Sequence, residues 1–215
     1  MKHALRSSLF VVAALLVACG STPPPPDWQM NAKGSAERAA EAWLSGNSKI
    51  EDVEFLRARS EVARTAQPVL VSRLELTRCA TRVAALVFEP CAGYEAVAGD
   101  AAPAEKAYAR YLAGQAVAED AALLPAPHRA LVGASAPDLA AIADPLSRLI
   151  AAGVLLRRSA ATPAVVDTAV DTASQRGWRR PLLAWLGVQL RQAQAAGATD
   201  EAARVQRRID LLAPR

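Results

Sequence analysis

The chain has 215 residues, of which 52% are hydrophobic and only 5% aromatic, and its 25 Lys and Arg against 21 Asp and Glu give a formal net charge of +4. An alanine-rich chain with few aromatics and few alternating β-branched runs argues against an all-β domain, because alanine is the strongest helix former. The two histidines, one of them at position 3, exclude a multi-histidine metal centre.

The chain opens with Lys2 and Arg6, followed by an apolar run over residues 9–17 that closes on Leu16-Val17-Ala18-Cys19. A basic start, a short apolar centre and small residues before a cut are the three regions of an export signal. The run covers roughly ten residues, half of what a spanning helix needs. These residues resemble a bacterial lipobox, the processing site of lipoproteins. The resemblance implies that residues 1–18 are a signal peptide and that Cys19 becomes the N-terminus. It also implies that Cys19 carries a thioether diacylglycerol and an N-acyl chain. Several acyl chains hold a protein firmly in a bilayer, where one is marginal. Gly20 stands where an Asp would retain many such proteins in the inner membrane, so the expected location is the periplasmic face of the outer membrane. Without residues 1–18 the net charge is +2, and a nucleic-acid partner is not expected.

Residues 19–34 read as the lipidated cysteine and a tether, with Pro23 to Pro26 favouring polyproline II. Trp28 suits either the lipid interface or the domain surface. Residues 35–215 read as one helical domain. Its first helix is expected over 35–45, capped by Ser35 and stopped at Gly46-Asn47. A second follows over 49–65, with Ile50, Val53, Phe55, Leu56 and Val62 as apolar positions. A third spans 68–87 and a fourth runs from Pro103 to near Gly114. A short helix to Leu124 and a Pro/Gly/Ala-rich loop over 124–138 come next, with His128 expected in solvent. Asp144-Pro145 and Thr162-Pro163 each place a capping side chain before a proline at the first helical position. The second of these helices stops at Arg176-Gly177. A helix over 181–196, apolar around Leu182, Trp185, Leu186 and Leu190, is expected to be central, and the last spans 200–212.

Cys79 lies in the stripe Leu76, Cys79, Ala80, Val83, Leu86, Val87, and Cys91 follows Glu89-Pro90. An even pair of cysteines in an exported chain reads as a disulfide. A loop of roughly 13 residues so closed contributes about 3 kcal/mol. Two unpaired thiols are the alternative.

Gly197, Ala202 and Pro214 fall at the turn, small and closing positions of a tetratricopeptide hairpin, and Gly46, Phe55 and Ala58 do so near the other end. Both stretches resemble that repeat family, without its Trp-Leu-Gly-Tyr pattern. The expected fold is all-α: antiparallel helical hairpins in a tetratricopeptide-like solenoid or an irregular helical bundle. In such a fold hairpins stack because none buries its apolar face alone. Glu37 with Glu41, and Asp167 with Asp171, read as solvated surface pairs rather than acid–base dyads. Arg204, Arg207 and Arg208 read as a solvated face or a contact for anionic lipid or an acidic partner. No nucleophile elbow, Walker loop or dinucleotide fingerprint is present. The expected function is an outer-membrane lipoprotein, facing the periplasm, that acts as an adaptor or assembly subunit for envelope proteins. It is not expected to be an enzyme or to need a cofactor. The alternatives are an enzyme or accessory subunit acting on cell wall or lipid, and a carrier of a small apolar ligand.

Overall fold

The computed structural model describes residues 24–134 and 138–212. The readings of the signal peptide, Cys19, Gly20 and Pro214 lie outside the described residues. Among the described residues there are ten α-helices, three short 3-10 segments and no strand. The fold is all-α, as expected. No described helix is long and apolar enough to cross a membrane.

Helices α1 (Asp27–Ser45) and α2 (Ser48–Ala63) form an antiparallel hairpin turning at Gly46 and Asn47. Gly46 takes φ 100°, which only glycine adopts readily, and the Asn47 side chain caps α2 by accepting from the Ile50 amide at 3.2 Å. Helix α3 (Pro68–Ala84) packs against α1 and α2 on one side and against α5 (Pro103–Leu112) and α7 (Pro145–Arg157) on the other. The single turns α4 (Ala92–Glu95) and α6 (Ala126–Arg129) lie in the connections. Helices α7, α8 (Pro163–Arg176), α9 (Arg179–Ala195) and α10 (Thr199–Leu212) each pack on the next, and α9 returns to α1. That return closes a bundle around α3.

The caps that begin α7 and α8 fall where the Asp-Pro and Thr-Pro pairs place them. The Asp144 carboxylate accepts from the Ser147 amide at 2.7 Å, and Thr162 Oγ1 from the Val165 amide at 3.4 Å. Helices α3 and α7 approach unusually closely because Gly153 has no Cβ. One built there would lie 2.4 Å from the Val83 carbonyl oxygen. Trp185 is fully buried, and its indole donates to the Ala84 carbonyl at 3.1 Å, satisfying an acceptor at the end of α3.

Two boundaries differ from the sequence expectation. Helix α1 begins at Asp27, so the segment before the domain is eight residues shorter than the expected 19–34 tether. Pro26, extended at φ −57° and ψ 148°, is the N-cap, and Asp27 supplies the favourable charge in the first turn. Ala32 is buried, and Ser35 is not a cap but a buried side chain whose hydroxyl accepts from Arg38 at 2.8 Å. Helix α3 stops at Ala84 and not at Val87, because Leu86 adopts φ 60°. The Leu86 and Val87 amides donate back to the Val83 and Arg82 carbonyls at 3.0 and 2.9 Å.

The larger difference concerns which way α2 faces. Ile50, Val53 and Leu56 point outward, at 50, 49 and 64% exposure, while Glu51 and Glu54 point inward at 2 and 8%. The core beneath α2 is thin, made of Ala32, Ala39, Phe55, Ala58, Val62 and Leu74. Alanines let α1 and α2 approach closely, and the edges of that narrow contact are taken by carboxylates. Each carboxylate is charge-paired. Glu54 is bridged by Arg38 and Arg57 at 2.8 and 2.7 Å, and Glu51 by Arg78 and Arg82 at 2.7 and 3.3 Å.

Candidate functional site

An open cleft of about 370 Å³ lies between α3, the segment 87–95, α5 and the end of α7. Helix α3 supplies one wall. Its residues Glu75, Arg78, Cys79 and Arg82 fall at i, i+3, i+4 and i+7, so they share a face. The opposite wall is the stretch that leaves α3 at Leu86 and is pinned by the disulfide Cys79–Cys91, with Cα atoms 5.9 Å apart. The bridge joins the two cysteines that the sequence pairs, and both residues line the cleft. Leu76, Val83, Leu112 and Tyr94 give the cleft its apolar surface.

Charge rims that surface. Glu75 is buried and accepts from Arg59 at 2.9 Å. Gly93 makes room for it, since a Cβ there would lie 2.0 Å from Glu75 Oε2. Arg157, exposed at the end of α7, donates to the Leu112 carbonyl at 3.3 Å and has no carboxylate partner among the described residues. Glu89 and Glu95 are exposed on the far rim.

Behind the cleft, Arg78 and Arg82 converge on Glu51. Arg78 also reaches Asp52 at 2.7 Å and lies 4.2 Å over the Phe55 ring. Arg82 and Arg180 stack over the Trp43 ring at 4.0 and 3.6 Å. Burial pushes the Glu51 carboxyl up, but the hydrogen bonds and charges of Arg78 and Arg82 outweigh it, leaving the pKa below the ordinary carboxylate value. Burial, aided by Arg82, pulls Arg180 down. This cluster ties the α1–α2 hairpin to the wall of the cleft.

The other residues weighed from sequence are scattered. Glu37 and Glu41 are both exposed, and the Glu41 carboxylate also accepts from the Trp178 indole at 2.9 Å. Asp167 accepts from Gln189 at 2.8 Å, and Asp171 is exposed. Arg204 pairs with Glu201 on its own helix. Among the described residues no group of three or more His, Cys, Asp or Glu could hold a metal ion.

His128 departs most from expectation. It is buried, not solvated, because α6 packs on α7 and turns the His128 side chain against Tyr108 and Tyr111 of α5. The Tyr111 hydroxyl and Nδ1 share a hydrogen bond of 3.2 Å, Tyr108 stacks against the ring at 5.9 Å, and Tyr111 lies tilted to it at 4.9 Å. Burial raises both tyrosine pKa values and pushes His128 down to about 4. The imidazole is therefore neutral near pH 7. As pH falls from the unfolded value of 6.5 toward 4, only the unfolded chain takes up a proton on this ring. Stability should then fall by up to roughly 3 kcal/mol from this group. Urea titrations at about pH 7 and about pH 4 should show a smaller pH difference in His128→Gln than in the parent; equal differences would contradict the assignment.

The arginine side of the cleft was missed in the sequence reading. Its only signal there is the i, i+4 repeat of Arg78 and Arg82 on the cysteine-bearing face of α3. Comparison of the chain with protein-family models, curated proteins and solved structures finds no match.

Proposed function

We propose that the protein is a lipid-anchored adaptor of the bacterial envelope, held at the periplasmic face of the outer membrane through Cys19, and that the cleft over Cys79–Cys91 receives a segment of a partner protein. The observation that carries this reading is the form of the cleft: open to solvent, apolar at its base, and rimmed by charges of both signs. A closed apolar cavity would suit a small-ligand carrier, and converging groups with perturbed pKa would suit an enzyme. The apolar base offers burial for a side chain or two of the partner. Arg157, free of a carboxylate partner among the described residues, offers an acidic group a charge-assisted hydrogen bond. The disulfide holds the far wall in place without a ligand, which lowers the ordering cost of binding.

The anchor is tested by Cys19→Ala. The variant should move from the membrane fraction to the soluble periplasmic fraction while remaining folded. A variant that still sediments with membranes would contradict the anchored reading.

A further inference from the structure

The outward face of α2 pairs two features that nothing in the cleft explains. Ile50, Val53 and Leu56 are exposed along it, and the residues interleaved with them are Lys49, Arg57, Ser60, Ala63 and Arg64. At 100° per residue these eight positions occupy the half of α2 opposite its buried residues. No carboxylate lies among them. Asp52 and Glu61 stand at the margins, and Glu51 and Glu54 are turned into the protein. Met30 of α1, also about half exposed, adjoins the edge where Arg57 lies. The helix thus shows an apolar stripe flanked by Lys49, Arg57 and Arg64; Arg57 and Arg64 are exposed while each also bridges an acid of its own helix, Glu54 at 2.7 Å and Glu61 at 2.9 Å.

We propose that this face of α2 docks on the bilayer surface, its apolar side chains at the headgroup–acyl boundary and Lys49, Arg57 and Arg64 among anionic headgroups. The chemistry is that of an interfacial amphipathic helix, which binds through apolar area together with attraction to anionic lipid. The inference rests on the acylation of Cys19, which supplies its second argument. From Cys19 to the start of α1 at Asp27 is eight residues, about 25 Å even when fully polyproline. The first hairpin is therefore within reach of the membrane, and a contact too weak to recruit a free protein suffices for one already tethered. Docking would fix the hairpin on the lipid, and through the Glu51–Arg78–Arg82 clamp it would fix how the cleft faces the periplasm.

The test uses the full acylated chain carrying Ser60→Cys, with the native pair oxidised, labelled with a nitroxide and reconstituted into phosphatidylethanolamine–phosphatidylglycerol vesicles. Asp171→Cys, on the exposed side of α8, is the control. The label at position 60 should be more accessible to oxygen than to a water-soluble nickel reagent, at a depth of about 5–10 Å. The control should show the reverse. Ile50→Ser/Val53→Ser/Leu56→Ser in the Ser60→Cys background should return the label to water. A label in water on vesicle-bound, acylated protein overturns docking and leaves the anchor standing. Spin–spin broadening between copies, or immobilisation without lipid, assigns the face to a second copy and overturns it too. A chain with no acyl groups by mass spectrometry that stays off the vesicles overturns anchor and docking together.

Discussion

Replacing Trp185 with alanine should lower the stability of the domain by about 3–5 kcal/mol. Trp185 has no exposed surface and sits where α9 meets α3. Truncation leaves a cavity in the centre of the bundle that the surrounding helices, closed in a ring by the α9–α1 contact, cannot collapse into. It also removes the donor to the Ala84 carbonyl at 3.1 Å, and a buried acceptor left without a partner costs about 1–3 kcal/mol on its own. Trp185→Phe weighs the two terms, since it keeps the larger part of the buried ring but loses the donor together with the rest of the indole. It should cost less than the alanine variant but at least about 1–3 kcal/mol, the value of the acceptor left unpaired. Urea unfolding followed by circular dichroism measures both. A loss below about 1 kcal/mol for the alanine variant would contradict the placement of Trp185 at the centre.

Glu51→Gln should cost about 2–4 kcal/mol, although the two side chains have nearly the same shape. The carboxylate is 2% exposed and accepts from Arg78 at 2.7 and 3.0 Å and from Arg82 at 3.3 Å. Removing one partner of a buried ion pair leaves the other charge uncompensated, and here two guanidiniums are left, with Arg180 nearby. The arginine side chains keep 27 and 19% of their surface, so water offsets part of the loss and the figure stays below that of a fully buried pair. Glu201→Gln is the comparison. Its partner Arg204 is one turn away on exposed α10, and the change should cost no more than about 0.5 kcal/mol. The pH dependence has a definite sign. The folded pKa of Glu51 lies below the unfolded one, so its contribution is complete above pH 4.5 and disappears as pH falls through the folded value. The Gln variant should therefore lose less stability on acidification than the parent. A near-neutral substitution would mean that α2 is not held by this clamp.

Much of the architecture was readable from punctuation. Asp144-Pro145, Thr162-Pro163, Gly46 and Gly177 mark helix ends in the places the structure has them, because caps and left-handed residues act locally. The disulfide was readable from residue type and spacing, given an exported chain. The apolar circumference of α9 pointed to a central helix; the structure buries its Leu182, Trp185 and Leu186 but closes the bundle around α3. What could not be read depends on groups distant in sequence. The acids of α2 are buried because arginines 16 and 27 residues away neutralise them, so its apolar residues face out against the usual pattern. His128 is a core residue only because Tyr108 and Tyr111 form a wall for it. The early start of α1 was hidden by prolines that ended the tether and, at Pro26, also began the helix. Nor did any stretch show that segment 87–95, through the bridge, would face α3 across an open cleft.

Site-directed photocrosslinking in the full-length protein tests most directly whether this cleft receives a protein segment. A benzophenone amino acid at Ala113, on the cleft wall, should capture a discrete polypeptide in intact cells. The same residue at Asp171 should capture none, and Arg157→Glu should abolish the adduct at Ala113 without lowering the amount of folded protein. Equal adducts from both positions, an adduct indifferent to Arg157, or lipid as the only species captured at Ala113 would contradict that reading.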